Sequence, residues 1–547
     1  MTPLSSRSRV GLAVGGVLAA LLLLPLLGPG YVLVRDMNFV PRIPLGGQLL
    51  GLDGVPRGVP SEGVVALLSR VLPTGWLQDV ILVALVIGGA WGAARLAPTT
   101  SRAGAAAAAT SYGWSPFLHE RLLLGQWALL VGWAVLPWAA RAALDWRRGA
   151  TGWWAVAALT FSALAGANAL LLVGLVVVVC GRPLRALGAV LLLALPWVVP
   201  GLLQEQAAGD PAGVGAFAAN SDGPLGVVGS LVTGGGVWAR DAVPPGRAAG
   251  TWIGLLVVLG AAAAVPVLRR RLGDRLLVAA GLGLLLSLMG AVPGTDRLLR
   301  WAVVHVPAAG LLRDGQKWVA PLLLVVSAAL ACLTERVLSA VAERPARALL
   351  AAVLVAAPVA ALPGAAWAEG GRLDVSRYPA DWERVTRMTH GAVVVLPWSL
   401  YRAYPWEHGV TVLDPAQKMI RRPVVNDSLP LADRVVRGED PVARRLDGDV
   451  RSGSTLLPAL RREGISQVLV ERSTVGYDAA LAQRQTAGLR LVVQTPELAL
   501  YAVPGRGRTP ARVPAWPVVA VDLLAVAFAG TTVVQVRRAR RSYSPAD

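Results

Sequence analysis

The sequence predicts an α-helical polytopic membrane protein with about twelve transmembrane helices and a small α/β domain outside the membrane. Three observations predict it. The 547 residues are 55% hydrophobic and only 16% charged, against roughly 25% charged in soluble domains. Apolar runs near the ~20 residues that cross a bilayer recur from Val10 to Ala361, and a last one lies between Pro514 and Val536. Between these two regions, residues 366–512 have ordinary soluble composition.

The formal net charge is +19, from 52 Lys and Arg against 33 Asp and Glu. In a soluble chain that excess points to nucleic acid. Here the basic clusters sit between apolar runs, at Arg269-Arg270-Arg271, at Arg344 and Arg347, and at 537–541, as the positive-inside rule requires. Charge therefore encodes topology, and no nucleic-acid partner is expected. The two cysteines, Cys180 and Cys332, both lie inside apolar runs, so neither a disulfide framework nor a zinc site is expected.

The first run, 10–27, follows the basic stretch Ser5-Ser6-Arg7-Ser8-Arg9 and has the length of a signal-peptide core. No small-x-small cleavage site follows it, so it is read as an anchor with a cytoplasmic N-terminus. Spans are then expected at 10–33, 78–97, 102–116, 121–140, 152–167, 168–182, 186–203, 250–268, 275–292, 317–337, 347–365 and 513–536. The apolar stretch 152–181 is divided at Gly166-Ala167-Asn168, because a single helix there would put the Arg269 cluster on the outer face. With the division, the short basic connections and the C-terminal tail all fall in the cytoplasm, and the protein is a multi-pass component of the plasma membrane.

This threading places three hydrophilic stretches outside, 34–78, 204–249 and 293–316, together with the larger region that follows. The expected organisation is a transmembrane domain over 1–365 with a first outer loop at 34–78, an extracytoplasmic domain over 366–512, and a final helix with basic tail over 513–547. In the outer domain, apolar runs at 392–396, 467–470, 489–493 and 498–503 read as strands and 456–463 as a helix.

The first outer loop carries Arg35-Asp36 at the exit of the first span, then Asp53, Arg57 and Glu62. From Val64 onward, Val64, Leu67, Leu68, Val71 and Leu72 share one helical face behind a Ser61 N-cap, which predicts a helix lying on the membrane surface. A carboxylate at the lipid-water boundary is costly to place and has a raised pKa, so Asp36 is a candidate general base. The alternative is that Arg35 and Asp36 are interfacial charges capping the helix.

A second cluster, Ser115-Pro116-Phe117-Leu118-His119-Glu120-Arg121 followed by Gly125-Gln126, occupies a short outer turn. Adjacent His119 and Glu120 do not share a helix face, so no metal site is expected from them; Glu120 and Arg121 read as substrate-binding or supporting residues. A third cluster is Arg313-Asp314-Gly315-Gln316-Lys317, just before a span. Arg313 and Lys317 there suit a lipid phosphate or diphosphate, and Lys317 beside Trp318 also suits a snorkelling anchor. In the outer domain, Trp398, Tyr401, Tyr404 and Trp406 suit sugar stacking as well as a plain core. No Walker loop, GxSxG elbow, HExxH or nucleotide-binding glycine fingerprint is present, which leaves ATP-driven transport unsupported.

Together, an Asp at the end of the first span, a long first outer loop with a surface helix, many spans and a C-terminal outer domain resemble the GT-C class of membrane glycosyltransferases. More narrowly, the run 36–41, the runs Trp114-Ser115-Pro116-Phe117 and Glu120-Arg121-Leu122, and the run 313–317 are similar to actinobacterial arabinofuranosyltransferase-like and YfhO-like integral membrane proteins. The resemblance covers most of the chain. It implies a transferase that takes a sugar from a polyprenyl-phosphate donor to an envelope glycan or lipid acceptor on the outer face. Asp36 would match the first-loop aspartate that takes the acceptor proton. Arg313, Lys317 and Arg121 would neutralise the leaving phosphate, and Arg35, Asp53, Arg57, Glu120, Gln126, Asp314 and Gln316 complete the substrate-binding candidates. Many enzymes of the resembled class carry an acidic pair at this place. Here Arg35 precedes Asp36, with Asp53 and Glu62 as substitutes from the same loop. A divalent cation is the one cofactor the resemblance leaves open. Two other classes fit the same sequence: a non-catalytic envelope-assembly scaffold, and a lipid or glycan transporter, against which stands the scarcity of polar residues such as Asn168 inside the spans.

Overall fold

In the computed structural model of the chain, the described residues are 5–204, 209–431, 435–505 and 513–541. Parts of the expected second outer stretch (205–208), of the outer domain (432–434 and 506–512) and of the two termini therefore lie outside the described residues. The chain is mostly helical, with strands concentrated in its C-terminal region.

Seven described helices are long and apolar enough to cross a membrane: Ser6–Leu26, Thr74–Leu96, Trp127–Arg147, Pro183–Leu203, Arg247–Leu272, Gln316–Ala340 and Ala515–Arg540. The bent pair Arg344–Ala360 and Pro363–Gly371, with 64° between its halves, makes an eighth if counted as one span. The protein is thus a membrane protein with several spanning-length helices. Among the described residues twelve are not found at that length. Of the remaining expected spans, Trp153–Leu164 has 12 residues, Ala167–Cys180 and Arg275–Leu288 have 14 each, and Arg102–Gly113 has 12. At 1.5 Å per residue these measure roughly 18–21 Å, short of a ~30 Å hydrocarbon layer.

Gly166 breaks the apolar stretch where the sequence places the division. It adopts φ +103 between the helices Trp153–Leu164 and Ala167–Cys180, a backbone region open to glycine. The two helices pack on each other, and Trp146 lies against both Gly152 and Gly181, so the pair returns to the end of the bundle from which it started. Hydrogen bonds gather the basic connections at that end. Arg95 donates to Ser8 Oγ at 3.2 Å, Arg7 to the Ala97 carbonyl at 3.3 Å, Arg147 to the Gly181 carbonyl at 3.2 Å, and Arg148 to the Arg271 carbonyl at 3.4 Å. Arg271 donates to the Pro98 carbonyl at 2.6 Å and pairs with Glu335.

At the opposite end stand the C-terminus of Ser6–Leu26 and the N-termini of Thr74–Leu96, Trp127–Arg147 and Gln316–Ala340. Here the chain leaves the first helix as a strand, Tyr31–Val32, paired antiparallel with Val375–Ser376. Gln78 fixes this exit by accepting from the Val32 N–H at 3.0 Å and donating to its carbonyl at 2.7 Å. The surface helix is Ser61–Leu68. Ser61 is its first residue and not its cap, and its hydroxyl donates to the Gly58 carbonyl at 3.1 Å. Leu67, Leu68 and Val71 are exposed, as a membrane-surface face would be.

The C-terminal region holds a five-stranded sheet of β1 (Val393–Leu396), β2 (Pro423–Val424), β3 (Gln467–Glu471), β4 (Arg490–Gln494) and β5 (Leu498–Ala502), in the order β4-β5-β3-β1-β2. β1 is parallel to β2 and β3; β5 is antiparallel to β3 and β4. Every residue of β1 and β3 is buried, as central strands covered on both faces require. The helix Leu457–Arg462 contributes to the core on one face, where Leu460, Ile465, Val468 and Leu446 cluster. The aromatics Tyr378, Trp382, Tyr404 and Trp406 cluster with centroids 4.8–6.1 Å apart, Tyr404 and Trp406 stacked and the other pairs edge-to-face or tilted. Tyr404 and Trp382 are fully buried, so these two belong to the core and not to a sugar platform.

Candidate functional site

The site is built where the first loop meets both the helical bundle and the C-terminal region. Arg35 takes φ +45 and bonds in both directions to the segment 411–413: its N–H donates to the Thr411 carbonyl and its carbonyl accepts from the Leu413 N–H, each at 2.7 Å. On the other side, the Asp36 N–H donates to the Leu124 carbonyl at 3.2 Å. Gly125, at φ +72, lets this happen. A Cβ there would collide with Val34 O and Met37 N and lie 2.9 Å from Asp36 N. The Gly125-Gln126 pair is thus the seat on which the Asp36 loop rests.

The half-buried Asp36 side chain accepts from the Tyr401 hydroxyl at 2.6 Å through Oδ1 and from Gln126 Nε2 at 3.3 Å through Oδ2. Burial raises its carboxyl above the ordinary range; the bonds from Tyr401 and Gln126 and the charge of Arg35 oppose part of that rise. Burial, then the Asp36 charge, also lifts the Tyr401 hydroxyl well above its usual value, so Tyr401 stays a donor. Asp36, Arg35 and Tyr401 line a cavity of about 890 Å³, whose other walls include Trp238, Arg240 and Asp241. Arg35 pairs with Asp241, and Arg240 is exposed within the wall.

Behind Asp36 a chain of polar side chains runs into the protein. Gln126 Oε1 accepts from Arg121 Nη1 at 2.5 Å, and Arg121 Nε donates to Gln316 Oε1 at 2.6 Å. Arg121 also holds Asp314 through both Nη atoms, at 2.8 Å for Nη2 to Oδ1. Burial alone would raise the Asp314 carboxyl, but the charge and hydrogen bonds of Arg121 outweigh it and keep the group below its ordinary range. Gln316 Nε2 donates to Glu120 Oε2 at 3.0 Å. The other Glu120 oxygen faces Asp222 beside Gly235. Burial and then the Asp222 charge push the Glu120 carboxyl well up; burial would raise Asp222 too, but the Arg247 charge and the hydrogen bonds from Arg247 and the Gly236 N–H help hold it low. Arg247 closes the chain at 3.1 Å from Asp222.

The structure thus brings Arg35, Asp36, Glu120, Arg121, Gln126, Asp314 and Gln316 into one constellation, of which only Arg35 and Asp36 line the cavity. Arg121 is fully buried with its donors occupied, so it positions Gln126 and does not reach a phosphate in the cavity. Lys317 is turned away. Its ammonium donates to Asn168 Oδ1 at 2.6 Å and to the Leu311 carbonyl, and it is buried. Arg313 lies 5.7 Å over the Phe217 ring and 3.3 Å from Glu439. The anion pocket expected from Arg313 and Lys317 is therefore not formed, because protein groups already occupy both cations.

Asp53, Arg57 and Glu62 are also apart. Asp53 pairs with Arg422 at 3.2 Å, Arg57 with Asp427 at 2.7 Å and Glu62 with Lys418 at 3.7 Å. They stitch the first loop to the C-terminal region and do not double the Asp36 carboxylate. His119 and Glu120 face different partners, His119 Nδ1 lying 2.7 Å from Glu369 Oε1. Sequence reasoning missed Arg240 as a second cavity cation and Tyr401 as the partner of Asp36. The signal for Arg240 was an Arg-Asp pair after Trp238 in an otherwise Gly- and Ala-rich stretch. Compared with protein-family models, curated proteins and solved structures, the chain finds no match.

Proposed function

We propose that the chain is a membrane glycosyltransferase that moves a sugar from a polyprenyl-phosphate donor to an envelope glycan or lipid acceptor, with Asp36 as general base. One observation carries the reading: a carboxylate of raised pKa, held from two sides by Tyr401 and Gln126, faces a cavity of about 890 Å³ that also presents Arg35 and Arg240. A base whose pKa is raised toward the working pH transfers protons efficiently. With Oδ1 engaged by Tyr401, Oδ2 has only the longer Gln126 bond and is the oxygen available to an acceptor hydroxyl. In the reaction, that hydroxyl gives its proton to Oδ2 as its oxygen forms the new glycosidic bond. The bond from the anomeric carbon to the donor phosphate breaks, and polyprenyl phosphate leaves with the electron pair. Arg240, and Arg35 once it releases its Asp241 partner, would supply the positive charge for that leaving phosphate, which is where stabilisation lowers the barrier.

The same reading puts the basic end of the bundle in the cytoplasm, with both termini, and the cavity and C-terminal region outside. The short helices complete the crossings of the membrane domain. A scaffold without catalysis is the second reading, favoured by the engagement of Arg121, Arg313 and Lys317 with protein groups.

The test is sugar transfer by the purified chain in lipid nanodiscs against a panel of polyprenyl-phosphate sugars, wild type beside Asp36→Asn. Release of polyprenyl phosphate by the wild type, lost by roughly 10²-fold or more in the variant, is expected for a missing general base. Equal rates would remove Asp36 from the chemistry, and no turnover with any donor would leave the scaffold.

A further inference from the structure

We infer that a second cavity, of about 460 Å³, lined by His390, Arg421, Arg422 and Asp53 and reaching Ala515, binds a phosphate group at the membrane boundary. The inference is independent of the Asp36 chemistry, since the two cavities share no lining residue.

Charge is the first argument. Asp53 answers Arg422 at 3.2 Å, but among the described residues no hydrogen bond or ion pair reaches the guanidinium of Arg421 or of Arg42. These arginines converge. The Arg421 side chain lies against Gly46, its Cγ 3.5 Å from where a Cβ would stand, and Arg70 Nη2 donates to the Ile43 carbonyl at 3.5 Å. Both therefore flank the segment that begins with Arg42. Burial and then the charges of Arg387, Arg70 and Arg421 depress the Arg42 pKa, with Glu383 opposing. Glu383 is itself paired with Arg387, and among the described residues no ion pair is formed by Arg42, Arg70 or Arg421; Arg421 lines the cavity together with the Asp53–Arg422 pair, and Arg42 and Arg70 stand outside its lining. Like charges held together cost energy, and a phosphate that accepts planar, two-pronged bonds from arginine removes that cost.

Position is the second argument and points to a lipid-borne phosphate. Ala515 opens the apolar helix Ala515–Arg540, only 11% of whose most apolar stretch is buried inside the protein. Near Arg70, Leu67 and Leu68 at the end of the helix Ser61–Leu68, and Val71 in the turn beyond it, are exposed. The cavity is thus bracketed by two apolar surfaces that face lipid, at the level where headgroup phosphates lie.

The experiment uses the full chain in a zwitterionic detergent and follows binding by native mass spectrometry, with inorganic phosphate in one arm and a short-chain phosphatidic acid in the other. Wild type is compared with Arg42→Gln/Arg421→Gln, with Arg421→Lys, and with Arg384→Gln as a control cation paired with Asp381 outside the cavity. The expected result is binding of the lipid, weakened at least about tenfold in the double variant, partly retained in Arg421→Lys and unchanged in Arg384→Gln. Binding of lipid but not of inorganic phosphate identifies a headgroup, and equal binding of both identifies a free anion as sufficient. Binding of neither by wild type, or undiminished binding by a double variant with an unchanged circular dichroism spectrum, overturns the inference. Should the double variant not fold, Arg421→Lys and Arg384→Gln decide: equal loss in both overturns it.

Discussion

The Tyr401 hydroxyl donates to Asp36 Oδ1 at 2.6 Å although 365 residues separate the two in the chain. The bond favours the charged carboxylate, and burial disfavours it more. Removing the hydroxyl in Tyr401→Phe therefore raises the Asp36 pKa further. For a base that must be ionised, the acid limb of the pH profile of kcat/KM then moves to higher pH. A hydrogen bond to a charged group contributes about 1.5–3 kcal/mol, so the shift is about one to two pH units. Transfer rates of Tyr401→Phe from acid to neutral pH check it; an unmoved acid limb would show that Asp36 is not the titrating base.

Gly125 makes the Asp36 loop possible. Its φ of +72 costs a residue with a side chain roughly 1–2 kcal/mol, and the added Cβ would strike backbone atoms of Val34 and Met37, which cannot rotate away. Gly125→Ala is expected to lower stability by more than that amount and to displace Asp36 from Gln126. Thermal unfolding in detergent measures the first effect and transfer activity the second. A variant as stable and active as wild type would show that the loop does not rest on this residue.

Among the described residues Arg121 is the one cation whose side chain is hydrogen-bonded to Gln126, Gln316 and Asp314 together, and its own burial is complete. Arg121→Met leaves Asp314 without its counter-charge, for which about 3–5 kcal/mol of destabilisation is usual in buried pairs. The double variant Arg121→Met/Asp314→Asn is expected to recover part of the loss, because it removes the orphaned carboxylate as well. The comparison of the two unfolding midpoints tests the coupling; additive losses would mean the two side chains are independent.

The constellation around Arg121 was legible in the sequence as three short polar runs, since charged residues at span ends have few places to go. What joined them was not legible. The Tyr401 to Asp36 bond depends on a docking of distant segments, and Tyr401 read as one more aromatic at a strand exit. Lys317 and Arg313 were legible as cations, but their partners Asn168, the Leu311 carbonyl and Glu439 lie far off in sequence or on the backbone. Four of the five sheet strands showed as apolar runs of four to six residues, whereas β2 has two residues, too few for any period. Hydropathy located the short helices without fixing whether each crosses, because composition does not report how a helix end is received by its neighbours.

Glu407 is a buried carboxyl in the C-terminal region, and neither of its oxygens has a partner among the described residues. Burial pushes its pKa up to about 9, so the folded protein holds a proton there that the unfolded chain, titrating near 4.3, releases. Between those two values the folded state binds more protons than the unfolded one, and stability falls as pH rises. Glu407→Gln keeps the shape and removes the titration. It is expected to melt above wild type at pH 8, by at least about 2 °C, with the difference shrinking steadily toward pH 4, where both carry a neutral side chain. A constant offset across that range would show that the carboxyl is not protonated in the folded protein.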